Sequence, residues 1–210
     1  ALPEVDLWGY SQRLGFPGSE REAGVLRVLI AFLEEVRLLH DRGVAHCNLC
    51  LENALVSWSR DPHSEHLLGV ELIDFSLAKG GEEAFTARGP SGRPMYVAPE
   101  AHKEASYDAL AADLFACGVI AYCLMVGEYP FLTTAPGGDK AFGHLLEHGP
   151  MALLGRRKCV TGPAGQRERV LDRMSDHFAG GIALLLSAVP SERAEGLQLL
   201  TGHAAAPPRR

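Results

Sequence analysis

Two pairs of residues that bind metals in other proteins lie close together in the first third of this 210-residue sequence. Cys47 and Cys50 are separated by two residues, and His63 and His66 follow after twelve more. Two thiolates and two imidazoles are a zinc ligand set, and a C-x-x-C pair also serves thiol–disulfide exchange. However, a zinc finger has three to five residues between its two histidines, and Pro62 stands where the helix of the finger would already run. A redox-active C-x-x-C pair needs a β-α-β context, which this sequence lacks. Both alternatives are disfavoured, and the cysteines are expected to be small, partly buried side chains.

A more specific pattern is formed by three short segments between Val44 and Glu100. In chain order they read HCNLCLEN at 46–53, DFS at 74–76 and APE at 98–100. These segments resemble motifs of the protein kinase family, namely the catalytic loop H-R-D-L-K-P-E-N, the triplet D-F-G and the triplet A-P-E. Each short motif recurs by chance, but the ordered set is specific. The sequence is therefore similar to the C-terminal lobe of a Ser/Thr-type protein kinase.

This resemblance covers most of the chain. It begins near Leu7 to Arg13, and it continues through DLFACG at 113–118 and PSER at 190–193, which are similar to the start of the buried kinase helix and to a motif before the last helix. We expect a kinase-like domain over 1–203 and a disordered tail over 204–210. The Gly-rich loop, strand Lys and helix Glu of an N-terminal lobe, which normally hold the nucleotide phosphates, are expected to be absent from it.

The resemblance implies a nucleotide and metal site. Asn53 and Asp74 match the two residues that hold Mg²⁺ beneath the phosphates, and hard oxygen ligands suit that ion. Leu55 would lie under the adenine ring. ATP and Mg²⁺ are thus the implied cofactors, although a protein-binding role would require neither.

Several catalytic positions depart from the family pattern. Asn48 stands where active kinases have an Asp that accepts or orients the substrate hydroxyl proton, and a neutral amide is hardly basic near pH 7. Cys50 replaces a Lys whose charge offsets the moving phosphoryl group. Cys47 replaces the Arg that would pair with an activation-loop phosphate. Arg93 stands where a Thr or Ser lies beside the substrate. These departures predict a loss of ordinary phosphotransfer.

The structural positions of the family are better kept. Glu100 would form a partly buried ion pair with Arg193, and Asp113 would hydrogen-bond the backbone of the catalytic loop. His46 and Phe75 would stack in an apolar column that joins this loop to the core. The resemblance therefore predicts that the fold is kept while the chemistry is lost.

Two functions remain open from this comparison. The first is a degenerate kinase, or pseudokinase, that acts as a scaffold or as an allosteric partner of an active kinase or another signalling protein. The alternative is an active ATP- and Mg²⁺-dependent Ser/Thr kinase, or a nucleotidyl transferase, that uses Asp74 and Asn53 with an N-terminal lobe outside this chain. Phosphoryl transfer depends mostly on positioning and electrostatics, so the loss of the base alone does not exclude slow turnover.

Helices and a small sheet must position these residues. Apolar residues at three- and four-residue spacing predict a long helix over 20–40, and 108–126 is apolar nearly all round, which is typical of a buried central helix. Two β-type runs predict a hairpin, and a stretch rich in Gly and Pro predicts a long loop. The runs are 54–58 and 68–73, the loop is 80–94, and further helices are predicted at 140–148, 167–187 and 191–202. The predicted fold is mainly α, a helical bundle around a buried central helix with a small β-hairpin.

Composition excludes several classes of function. The chain has 20 Lys and Arg against 26 Asp and Glu, a net charge of −6, so no nucleic-acid partner is expected. Its longest apolar run, 114–126, is shorter than the roughly 20 residues of a membrane span. Five cysteines without a dense disulfide framework favour a cytoplasmic location. The remaining histidines are scattered without metal-ligand spacing and are assigned no role; they are His40, His102, His144, His148, His177 and His203.

Overall fold

Helices dominate the computed structural model of this chain, which describes residues 5–59 and 67–202. The mainly α fold class is confirmed for these residues, whereas the predicted tail at 204–210 lies outside them. The helices in chain order are α1 (Leu7–Arg13), α2 (Ser19–Asp41), α3 (Glu82–Phe85), α4 (Ala109–Val126), α5 (Lys140–His148), α6 (Pro150–Arg156), α7 (Asp176–Leu185) and α8 (Arg193–Thr201).

Within the described ranges, the strands form one three-stranded antiparallel sheet and two small two-stranded pairs. The three-stranded sheet has the order β1-β3-β4 and contains the predicted hairpin, in which Ala54 pairs with Leu72 and Val56 with Val70. The other pairs, β2 with β5 and β6 with β7, were not predicted. The strands are β1 (Val5–Asp6), β2 (Val44–Ala45), β3 (Ala54–Trp58), β4 (Leu67–Leu72), β5 (Lys79–Gly80), β6 (Lys158–Val160) and β7 (Arg167–Arg169).

Helix α4 is the centre of the core, as its apolar sequence predicts. Asp108 caps it, because its carboxylate accepts the N–H groups of Leu110 and Ala111 at 2.8 and 3.4 Å. Gly127 ends it in the left-handed conformation. By length and composition alone α4 could cross a membrane, with a mean hydropathy of 2.1, but 83% of it is buried inside the domain. It is therefore the core helix that the sequence analysis expected.

A second helical crossing depends on a glycine. Gly196 on α8 lies against the backbone of α7, where a Cβ atom would come within 2.8 Å of the Leu185 nitrogen and 2.9 Å of the Gly181 oxygen. Backbone atoms cannot move aside as the end of a flexible side chain can. The two helices can approach this closely only because position 196 has no side chain.

We expect Gly196→Ala to lower the free energy of unfolding by about 1–3 kcal/mol, because it overpacks this crossing. Urea denaturation followed by circular dichroism measures the change. Gly143→Ala is a matched control, because Gly143 lies within α5 and a Cβ there would meet no atom within 4 Å. In the control, the helix preference of Ala should stabilise the protein slightly. An equal response of the two variants would contradict the proposed clash.

The predicted helix at 167–187 is wrong in its first half. Residues 167–169 form strand β7, residues 170–173 form a 3₁₀ turn, and α7 begins only at Asp176. Ser175 starts α7, since its hydroxyl accepts the N–H of Phe178 at 3.2 Å. Glu22 in turn holds Ser175 by accepting its backbone N–H and its hydroxyl at 2.7 and 2.5 Å. The start of this helix is thus fixed by a contact between Ser175 and Glu22, which are 153 residues apart in the sequence.

Two other boundaries differ from the predictions. Helix α8 begins at Arg193 after a 3₁₀ turn at 190–192, two residues later than predicted, and Gly202 ends it in the left-handed conformation. The predicted loop at 80–94 contains the short helix α3 and is tied down by the bridge between Ala87 and Tyr107.

A buried arginine joins three of the helices. Arg21 on α2 is 6% exposed and donates to carbonyl groups of Ser11, Leu14, Gly15 and Leu124, at distances from 2.6 to 3.2 Å. These carbonyls belong to the end of α1, the turn after it and the end of α4. Arg21 therefore supplies the hydrogen-bond donors that these helix ends would otherwise lack.

Candidate active site

The loop at 46–53 is held in place by the central helix. Asp113 of α4 is buried, and its two carboxylate oxygens accept the backbone N–H groups of His46 and Cys47 at 2.6 and 2.9 Å. The expected contact between Asp113 and the loop backbone is therefore present. His40, to which the sequence analysis assigned no role, lies 3.1 Å from the same carboxylate. This network holds Cys47 in the left-handed conformation, with φ at 60°.

Asp74 lies across from this loop in a strained conformation. Its φ is 59°, which non-glycine residues seldom adopt. Its Oδ1 accepts the Ser76 hydroxyl at 2.6 Å, and its Oδ2 accepts the Asn48 amide nitrogen at 2.8 Å. The Ser76 hydroxyl is the largest of the causes that hold the pKa of Asp74 below its ordinary value. The carboxylate is therefore ionised at neutral pH.

Asn53 completes the group of oxygen donors. Its amide nitrogen donates a hydrogen bond to the Asn48 carbonyl at 2.9 Å. This leaves the side-chain oxygen of Asn53 available as a ligand for a metal ion. One exposed, ionised carboxylate and one amide oxygen suit Mg²⁺, which keeps its other positions for water and phosphate oxygens. The residues present fit the implied ion, and Asn53 and Asp74 would hold it. When bound, Mg²⁺ would neutralise phosphate charge.

Neither cysteine of the loop is a thiolate. Burial raises the pKa of Cys47 to about 12 and also raises the pKa of Cys50, which is 1% exposed. Disulfide exchange requires the thiolate, so these raised pKa values disfavour the redox alternative further. His63 and His66 lie outside the described residues. Within 5–59 and 67–202, no three His, Cys, Asp or Glu residues form a metal-binding group.

A segment at 91–93 lies directly against the loop. The Ser91 hydroxyl donates to the Cys47 carbonyl at 3.1 Å, and a Cβ at Gly92 would lie 3.2 Å from the same oxygen. The half-exposed Arg93 forms an ion pair with Glu52 and lies close enough to influence the pKa of Cys50. Sequence reasoning missed this ion pair, whose partners are 41 residues apart.

Neither Phe75 nor Leu55 is fully buried among the described residues. The rings of His46 and Phe75 are 4.7 Å apart and tilted by 46°, and His46 Nε2 is 3.0 Å from the Ile73 carbonyl. Phe75 is 46% exposed, so the described residues do not enclose it in the apolar column that the resemblance implied. Leu55 on β3 is half-buried, and its place under an adenine ring stays a prediction.

The expected ion pair between Glu100 and Arg193 is fully buried. Two nitrogens of the guanidinium donate to the two Glu100 oxygens at 2.6 and 2.8 Å, and Arg193 is 0% exposed. The same side chain donates to the carbonyls of Ser187 and Ala111, both at 2.9 Å, and lies over the Phe115 ring. The segment at 98–100 is thereby fixed to both α4 and α8.

The fold and the candidate active site together define the class of protein to which this chain belongs. A helical lobe with a central buried helix presents a loop with Asn48 and Asn53 opposite Asp74, and a buried ion pair holds the segment that follows. This is the arrangement of a protein-kinase catalytic lobe. The protein kinase domain family matches residues 7–200, and the chain belongs to this family.

The chain is similar to plant Ser/Thr kinases over about half of its length. It is 33% identical over 114 residues to serine/threonine-protein kinase SRK2C of Arabidopsis thaliana, which is 53% of this chain and 32% of that protein. It is 34% identical over 107 residues to serine/threonine-protein kinase SAPK3 of Oryza sativa subsp. indica, which covers 51% of this chain and 30% of that protein. CBL-interacting protein kinase 12 of Oryza sativa subsp. japonica is 36% identical over 118 residues, covering 54% and 20%. The chain thus spans about a third or less of the length of these relatives.

Proposed function

We propose that this kinase domain is a pseudokinase, which binds a signalling protein as a scaffold or as an allosteric partner of an active kinase. The observation that carries the proposal is the hydrogen bond from the Asn48 amide nitrogen to Asp74. Because the carboxylate is ionised, the neighbouring amide must present its N–H₂ group to it. The position that orients or accepts a substrate proton in active kinases is thus filled by a donor, and general base catalysis worth about 10²–10⁴ in rate is lost.

The surroundings of Asn48 support the same conclusion. Cys50 is neutral and supplies no cation to a transferred phosphoryl group. Residues 91–93 lie on the loop and pair Arg93 with Glu52, so a peptide substrate would have to displace this contact. Phosphotransfer therefore meets three separate obstacles: the absence of a base at Asn48, the absence of a Lys at Cys50, and the segment 91–93 that lies on the loop. One substitution does not remove all three.

We therefore expect Asn48→Asp alone not to create kinase activity. The measurement is transfer of labelled phosphate from ATP with Mg²⁺ to a mixture of Ser- and Thr-containing peptides, with the full-length protein as the enzyme. An active Ser/Thr kinase in the same assay controls for the peptides, and Asn48→Ala controls for the substitution itself. Robust phosphorylation by Asn48→Asp would sink the proposal that several catalytic parts are missing.

A second candidate function is slow phosphotransfer or nucleotidyl transfer with Mg²⁺ held by Asn53 and Asp74. One observation favours it: the Arg93 guanidinium lies near Cys50, the position of the family's Lys, and so returns a cation to the loop. In this case Arg93 would stabilise the developing phosphoryl charge once a substrate displaced it from Glu52.

A thermal-shift titration separates the two candidates. An unchanged melting temperature of the full-length protein at millimolar ATP with Mg²⁺ would leave the protein-binding scaffold as the supported function, because a ligand that binds only the folded state must raise that temperature. A Mg²⁺-dependent rise that Asp74→Ala abolishes would favour the nucleotide-dependent enzyme instead. Glu195→Ala is the matched control, because it removes an exposed carboxylate on α8, which contributes no residue to the candidate active site.

The proposed partner is a protein. The name of one relative describes it as CBL-interacting, which supports a protein-binding role in signalling for this chain as well. The net charge of −6 supports the proposal that nucleic acid is not the partner. Five free cysteines are compatible with a reducing compartment, and a cytoplasmic location is part of the same proposal.

A further inference from the structure

Helix α5 carries two histidines one turn apart. The sequence there reads HLLEH, which places His144 and His148 four residues apart, and the structure stacks their rings with centroids 4.4 Å apart and planes 26° from parallel. The prediction that these histidines are scattered is therefore wrong for this pair. Residues four apart on a helix lie on the same face, and two histidines at this spacing bind one zinc ion in the H-E-x-x-H motif.

The helix that carries the pair is firmly anchored. Asp139 caps α5 by accepting the N–H groups of Ala141 and Phe142 at 2.7 and 3.1 Å. Phe142 and Leu145 on its inner face are 3% and 1% exposed. The backbone that sets the separation of the two histidines is therefore fixed by packing, and only side-chain freedom is lost when both rings bind one ion.

A carboxylate lies beside the more exposed ring. Glu147 Oε2 is 3.6 Å from His148 Nδ1, and the His148 side chain is 49% exposed. This separation is longer than a hydrogen bond, so the carboxylate lies near the ring without fixing its orientation. Because the His148 side chain is about half exposed, an ion can reach it from solvent.

We propose that His144 and His148 chelate a divalent transition-metal ion such as Zn²⁺, Ni²⁺ or Cu²⁺. Imidazole nitrogens suit these ions and not Mg²⁺, which prefers oxygen. Within the described residues no third His, Cys, Asp or Glu joins the pair as a ligand group, so the bound ion keeps open positions for water or for a donor from another molecule. The site uses none of the residues of the candidate active site and does not depend on the proposed function.

Isothermal titration of the full-length, tag-free protein with ZnCl₂, NiCl₂ and CuCl₂ tests this inference. We expect one ion bound per chain through this pair and a loss of affinity of about tenfold or more in either His144→Ala or His148→Ala, since even the loss of an outer contact costs about 10–100-fold. Circular dichroism checks that both variants remain folded.

Two control variants address the other histidines. His66→Ala breaks the other closely spaced pair in the sequence, and His177→Ala removes an exposed lone histidine on α7. Both should retain the binding that His144→Ala and His148→Ala lose. No saturable binding at millimolar ion, or binding that survives in both α5 variants, would overturn the proposal.

Discussion

Arg193→Met is expected to lower the free energy of unfolding by about 3–5 kcal/mol, because it leaves Glu100 as a buried charge without its partner. The two guanidinium bonds to Glu100 are lost, and so are the donors to the carbonyls of Ser187 and Ala111. Met has similar length and packs well, so the variant removes charge and hydrogen bonds more than volume. Urea denaturation at neutral pH measures the change.

A surface ion pair provides the matched control for this variant. Arg169 pairs with Asp172 at 2.7 Å, but both side chains are largely exposed, at 62% and 43%. Arg169→Met should therefore cost about 0–1 kcal/mol. The double variant Glu100→Leu with Arg193→Met should recover part of the lost stability, because no buried charge is left unpaired. If Arg193→Met behaved like Arg169→Met, the ion pair would not have the importance assigned to it here.

Asp113→Ala has the second-largest expected effect, and it acts on the candidate site itself. The substitution leaves the N–H groups of His46 and Cys47 without their acceptor, and each unsatisfied buried donor costs about 1–3 kcal/mol. Cys47 would also lose the contact that holds it at a positive φ. We expect a lower unfolding free energy and faster hydrogen exchange at the amides of residues 46 and 47.

The exchange measurement distinguishes a local role from a general one. Asp172→Ala removes an exposed carboxylate and should leave exchange in the loop unchanged. Asp113→Asn should be intermediate, because an amide oxygen can accept one of the two N–H groups while its N–H₂ faces the other. Loop amides that stay protected in Asp113→Ala would show that Asp113 does not hold the loop.

The elements with the strongest sequence patterns were predicted closely. Helices α2, α4 and α5 follow from the apolar residues within each segment, and the hairpin of β3 and β4 follows from two β-type runs. Strand β7, at 167–169, could not be predicted in this way. It is a short, exposed segment of charged residues, and only its pairing with β6 makes it a strand. Helix α6 was not predicted. It begins at Pro150, and a single residue separates it from the end of α5.

The candidate site was located by motif order, but its chemistry depended on distant contacts. The residue types at 46–53 and 74–76 were enough to place the loop and its partner triplet. That Asn48 donates to Asp74, and that Arg93 pairs with Glu52, depends on how segments 26 and 41 residues apart meet in space. His40 likewise gained a role only from its position beside Asp113. Local sequence carries no information on such geometry.

The apolar surface of α4 has a consequence for how this protein is made. The helix leaves the ribosome well before α7 and α8, against which much of its surface is packed. Until those helices emerge, a nascent chain presents 18 largely apolar residues without the neighbours that bury them in the finished domain. Exposed apolar surface of this kind makes an incompletely folded chain prone to aggregation, so the last two helices protect the centre of the domain as well as completing it.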